Sequence, residues 1–231
     1  MTIMRIKTKE TQYMSKLLLF DFDGVIVDSL PVYERTVKTC LEKIGNPVVQ
    51  TRDDFLDLFE DNFYEGIVKK GVDLQEFMAA SKDILNDIQY EQLEPHRFLF
   101  PILEALHRDH FLAIISSNTS GIIRKALEAY HIDGYFQEIL GSDTAYSKQE
   151  KINLVMYLFG IAQDQIYYIG DTAGDIREAR NAGVHAVAVT WGWHPRERIM
   201  AAHPDFMADH PEDLLAYLEK MADESFGFHI R

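Results

Sequence analysis

Short apolar runs, each closed by polar residues, alternate with segments of helical periodicity along most of this chain. Leu17-Leu18-Leu19-Phe20 is the first such run, and four apolar residues in a row read as a strand buried on both faces. Phe111-Leu112-Ala113-Ile114-Ile115, Gln137 to Leu140, Ile166-Tyr167-Tyr168-Ile169 and His185 to Thr190 repeat the pattern. Between and after them, Ile102 to Arg108, Ile122 to Tyr130, Lys148 to Phe159, Ile176 to Ala182 and Pro211 to Met221 read as helices. Strands alternating with helices predict an α/β fold, a Rossmann-like parallel sheet with helices on both faces.

One block departs from that rhythm. Ser29 and Pro31 start a helix that runs from Val32 to Ile44 and stops at Gly45. A second helix is expected over residues 51 to 70, capped by Thr51 or Asp53, and a third from about Asp73 to Gln89. Nothing between Leu30 and Glu94 reads as a strand, so residues 31–94 form a small all-helical cap domain inserted after the first strand. The α/β core is then expected over 16–30 and 95–225. Residues 1–15 precede the first core strand as an extension expected to be disordered, with Met14 as an alternative start. The extension carries Arg5, Lys7 and Lys9 but no apolar stretch or small-residue cleavage site, so it does not read as a secretory signal.

Composition changes this picture only by exclusion. A chain of 231 residues with 47% hydrophobic and 26% charged residues is an ordinary globular one. A formal charge of −14 disfavours nucleic acid and anionic membrane surfaces, which both need a positive footprint. No run of 18 apolar residues is present. Cys40 is the single cysteine, which excludes an internal disulfide and points to a reducing, cytoplasmic setting.

The candidate chemistry lies where the strands end. In open parallel sheets, ligands bind at the carboxyl ends of the strands. Asp21 and Asp23 follow the first strand and, two apart in extended chain, point to one side. Gly24 lets the chain turn and approach a ligand closely, although Asp and Gly after a strand also read as an ordinary acidic turn. Ser116, with Ser117 and Asn118, ends the second run, Asp171 and Asp175 follow the fourth, and Lys148 opens a helix. Several carboxylates on one edge suit Mg²⁺, which prefers oxygen ligands. A hydroxyl and an ammonium beside them would grip phosphoryl oxygens. One carboxylate could then attack phosphorus and another transfer the proton.

In their order, Asp21-Phe22-Asp23-Gly24-Val25, Ser116, Lys148 and Gly170-Asp171-Thr172-Ala173-Gly174-Asp175 resemble the four motifs of the haloacid dehalogenase superfamily. More narrowly, the chain is similar to the phosphoglycolate-phosphatase-like branch, which carries a helical cap between the first two motifs; the resemblance spans about residues 16 to 220. It implies that Asp21 is the nucleophile and a Mg²⁺ ligand, and that Asp23 is the general acid/base and also ligates the metal through its carbonyl. It further implies that Ser116 and Lys148 bind the phosphoryl group, with Gly24 and Ser117 beside them. Asp171 completes the metal site, with Asp175 a ligand or a support to it. An acid at Asp23 is what the superfamily's dehalogenases lack, which favours phosphate-ester hydrolysis or a phosphosugar mutase of the β-phosphoglucomutase type.

Lys148 is followed by Gln149 where many relatives have proline, and Lys151 is its competitor for the motif lysine. Arg52, Lys69, Lys70 and Lys82, and the acidic run Asp53, Asp54, Asp57, Glu60 and Asp61, read as solvated helix faces. Trp191-Gly192-Trp193-His194 follows a strand at the same edge, where it would either wall the site or serve packing. The expected function is a Mg²⁺-dependent phosphatase acting on a small phosphorylated metabolite, phosphoglycolate being the leading substrate. A phospho-accepting signalling protein and a non-catalytic binding protein are the alternatives of other classes. The sequence leaves the oligomeric state open.

Overall fold

The computed structural model describes residues 16–86, 88–89 and 93–226. The expected N-terminal extension lies outside the described residues. Six strands form one sheet: β1 (Leu17–Phe20), β2 (Phe111–Ile115), β3 (Glu138–Leu140), β4 (Ile166–Gly170), β5 (His185–Val189) and β6 (Phe206–Ala208). Their order is β3-β2-β1-β4-β5-β6, and every pairing is parallel. Phe20 lies in register with Ile114 on one side and Ile169 on the other. The chain leaves β1 toward β2 and β3 and later returns to its other flank at β4. A crevice for ligands opens at such a reversal, outside the strands' carboxyl ends.

The four residues of β1 are fully buried because both faces of the sheet are covered. Leu18 and Phe20 pack with helices α5 (Phe100–Asp109), α6 (Ser120–Tyr130) and α10 (Pro211–Phe226). Leu17 and Leu19 pack on the opposite face with α7 (Lys148–Phe159) and α8 (Ala173–Asn181). β6 and the short helix α9 (Arg196–Met200) were not expected, since segments of three and five residues carry no readable period.

Between β1 and α5 the chain is helical: α1 (Leu30–Lys43), α2 (Arg52–Leu56), α3 (Phe63–Lys69) and α4 (Leu74–Asn86). The single helix expected over 51–70 is interrupted by a 3-10 turn at Asp57–Phe59, and Asn62 then restarts it by accepting from the N–H groups of Tyr64 and Glu65. The third helix ends at Asn86, short of the expected Gln89, which lies in irregular chain. These helices build an apolar cluster of their own around Tyr33, Phe55, Phe59 and Phe63. Trp193, from the loop after β5, enters that cluster with its ring 4.9 Å from Phe59 and 5.4 Å from Tyr33. No helix among the described residues is long and apolar enough to cross a membrane.

Candidate active site

Adjacent strands deliver the acidic residues to one place. Asp21 follows β1, Asp171 follows β4, and the N–H of Asp21 donates to the carbonyl of Ile169 at 2.9 Å. Asp21 is buried, with one oxygen accepting the Phe22 N–H at 2.7 Å and the other accepting from Lys148 Nζ at 2.6 Å. Lys148 also pairs with Asp175, so one ammonium joins two carboxylates. Thr172 caps α8 with its hydroxyl on the Asp175 N–H, while Asp175 Oδ2 accepts from the Thr172 N–H and hydroxyl. This reciprocal cap starts the helix at Ala173, three residues before the expected Ile176.

Electrostatics set these carboxylates apart. Burial, opposed by Lys148 and reinforced by Asp175, pushes Asp21 up to about 7. Burial pushes Asp23 up to about 6 against the polar side chains of Ser29 and Asn118. Asp171, fully buried beside Asp175 and Asp21, is driven well above the carboxylate range. Burial also works against Asp175, but Lys148 and Thr172 hold it below its ordinary value. Asp21, Asp171 and Asp175 each present an oxygen within 4.8 Å of the others. Asp171 Oδ2 accepts the Trp193 N–H at 2.7 Å, and its buried Oδ1 has no hydrogen-bond partner. Three carboxylates around one ammonium, with a buried oxygen unmatched, form a donor set fitted to a divalent cation. Asp175 has both oxygens occupied and suits a supporting role best; the Asp23 carboxylate stands outside the triad, with Asn118 Nδ2 donating to it at 3.3 Å.

The remaining candidates fall as follows. Ser116, Ser117, Asp23 and Lys148 line a cavity of about 10 Å³ with Asp21, room for hardly one water. Lys148 alone of the two competing lysines reaches the acids. Lys151 is fully buried one turn on, with Nζ donating at 2.6 Å to the Ser116 carbonyl, and burial beside Lys148 pushes it down to about 8. Gly24 has φ +82°, and an added Cβ would overlap Asp171 and stand 2.9 Å from Trp193. Its N–H goes to Val27, so what Gly24 contributes is clearance for Asp171.

Several other residues join the cap to the core, and of these Glu178 and Asn62 carried no readable signal. Glu178 Oε1 accepts the Lys148 N–H at 2.7 Å and the Ser147 hydroxyl at 3.1 Å, anchoring the turn that presents Lys148. Asn62 joins it from the cap at 3.3 Å. His194 accepts the Ala173 N–H on Nδ1 and donates from Nε2 to the Leu56 carbonyl at 3.0 Å, bridging α8 to the cap. Part of the acidic run, though half-exposed, also makes ion pairs, with Glu60 and Asp61 on Arg177 and Asp57 on Arg198 across the same junction. Gly174 is there for contact: an added Cβ would overlap the Asp61 carbonyl. The partners that join cap to core lie more than a hundred residues from one another in sequence, beyond any local pattern.

A buried carboxylate, an adjacent ammonium, a hydroxyl and an acidic triad thus meet on one edge of a parallel sheet, the kind of constellation that hydrolytic enzymes use. The model of the haloacid dehalogenase-like hydrolases matches residues 18–189, and the chain belongs to that family. It is 29% identical over 220 residues to a phosphoglycolate phosphatase of Vibrio parahaemolyticus, covering 89% of this chain and 96% of that protein. A structure from Clostridium acetobutylicum described as a phosphatase superposes with a TM-score of 0.79 at 19% identity, covering 90% of this chain and 99% of the other. One from Thermotoga maritima described as a β-phosphoglucomutase gives 0.61 at 19% identity, covering 89% and 99%. Within its family the chain stands with phosphatases.

Proposed function

We propose that the protein hydrolyses small phosphate monoesters with Mg²⁺ as its cation, through an aspartyl phosphate on Asp21. The observation that carries this reading is the fixing of Asp21: one oxygen held by Lys148 and the other by the Phe22 N–H, inside a narrow cradle. A carboxylate so held attacks with little reorganisation. Asp21 and Asp171 would hold the cation, with Asp175 supporting them, and the cation when bound would supply the positive charge that ionises Asp21 and neutralises phosphoryl oxygens.

Asp21 attacks phosphorus as the bond to the leaving oxygen breaks, and Asp23 gives that oxygen its proton. An acid near pH 6 is poised for the task and, once deprotonated, takes a proton from the water that cleaves the acyl phosphate. Ser116 and Lys148 hold the phosphoryl oxygens meanwhile. With about 10 Å³ free, the cradle admits no phosphoryl group until the cap moves, so opening and closure are part of turnover.

Asp21→Asn should abolish both turnover and acid-stable labelling of the protein by substrate phosphate, with thermal unfolding little changed. Turnover retained by that variant would overturn the mechanism. Assays begin with phosphoglycolate, the substrate in the relative's name, and with β-glucose 1-phosphate, whose isomerisation would instead mark a mutase.

A further inference from the structure

A second and much larger cavity, about 340 Å³, continues from the cradle beneath the cap, and Tyr33 and Ser117 line both. Cap residues Phe63, Tyr64, Phe77 and Met78 wall it on one side, Ile122 and Tyr146 on the other. Three of its polar side chains turn to the backbone rather than to the space. Tyr64 donates to the Ser117 carbonyl at 2.9 Å, Thr36 to Val32 at 2.8 Å and Ser81 to Met78 at 3.0 Å. What remains for an occupant is mostly aromatic rings, methyl groups and a thioether, with a few hydroxyls from Ser117, Thr119 and Ser142.

We infer that this chamber receives the substrate's leaving group, and that this group is an uncharged alcohol carrying a flat apolar ring rather than a short hydroxy acid. The inference rests on the phosphomonoesterase reading above and names its substrate class. With phosphorus at Asp21, the atoms beyond the ester oxygen must pass Tyr33 and Ser117 to enter the chamber. A two-carbon acid would stop in that throat, among Tyr33, Phe59 and Trp193. Its carboxylate would find no uncommitted cation there, since Lys148 is shared by Asp21 and Asp175 and Lys151 is bound to the Ser116 carbonyl. Farther in, Lys82 is the one cation of the wall and Asp143 its one anion, so the chamber offers a second anion no net attraction. A ring fills the space and covers the aromatic wall, where Tyr64 and Tyr146 lie 4.5 Å apart, centroid to centroid.

The test compares esters of similarly poor leaving alcohols with Mg²⁺ present: 2-phenylethyl phosphate, ethyl phosphate and 2-phosphoglycolate, with p-nitrophenyl phosphate as the activity control. We expect kcat/KM for the phenylethyl ester to exceed the other two by roughly 30-fold, the order expected from burying one ring. Ile122→Trp, which fills the chamber from α6, should bring the phenylethyl-to-ethyl ratio toward one; Met78→Trp makes the same test from the cap if the first variant unfolds. Phosphoglycolate turned over faster than the phenylethyl ester, or a ratio unmoved in a folded filling variant, would overturn the inference and leave the phosphatase reading standing. Failure to hydrolyse any of the four esters, p-nitrophenyl phosphate included, would overturn both.

Discussion

The cradle and the chamber share a boundary at Tyr33 and Ser117 but are built on opposite principles. In the cradle nearly every polar atom is committed: Asp175 alone answers Lys148, Tyr168, Thr172 and the N–H of Asp171. In the chamber Tyr64, Thr36 and Ser81 turn toward the backbone, and the surface left is mostly aromatic and aliphatic. The first arrangement has one solution, because moving any member strands a buried charge. The second tolerates any side chains that keep the helices amphipathic, so it can change occupant without disturbing the chemistry.

That contrast can be broken most forcefully at the two lysines. Lys148→Met should lower kcat by on the order of 10²- to 10³-fold and cost about 3–5 kcal/mol of stability, since it strands two buried carboxylates. Lys151→Met should cost about 1–3 kcal/mol through the orphaned Ser116 carbonyl, yet lower kcat far less. Equal kinetic losses in the pair, measured beside chemical denaturation, would erase the distinction drawn between them. Gly174→Ala should improve α8 as a helix but collide with the Asp61 carbonyl, costing about 1–3 kcal/mol in cap seating and lowering kcat/KM for every ester alike. Selective loss for the ring-bearing ester would place that contact in the chamber instead.

Removing the cation should show the cradle's strain directly. Without divalent metal, Asp171→Asn should be more stable than the wild type by roughly 1–2 kcal/mol, because it discharges a buried carboxylate driven well above its ordinary range. Thermal scans with and without Mg²⁺ should show stabilisation of the wild type and little in the variant; the reverse order would remove the metal from this site. At the small end, Arg177→Ala trims half-exposed pairs to Glu60 and Asp61 and should cost no more than about 1 kcal/mol, fading further in high salt.

Legibility in the sequence follows the same division. Strands β1, β2 and β4 stand out because burial on both faces requires unbroken apolar runs, and their polar ends announce Asp21, Ser116 and Asp171. Helix α7 was readable over its whole length because Ser147 caps it and Gly160 ends it in a left-handed conformation. Lys151 was not readable as an interior residue, since an isolated lysine on a helix is ordinarily solvated and only the Ser116 carbonyl explains its burial. Glu178 and Asn62, 116 positions apart, meet only once the cap has folded back. Asp57, Glu60 and Asp61 read as surface because their arginines belong to another part of the chain.

The chamber also contains its own reporter. Cys40 is the only cysteine of the chain and lies in the chamber wall, fully buried, with its thiol pushed by burial up to about 11. A thiol so protonated reacts sluggishly at neutral pH, and only when the cap lifts does a reagent reach it. The rate at which one sulfur is alkylated is therefore a clock for cap opening, and its slowing by a bound ester would measure occupancy without any turnover at all.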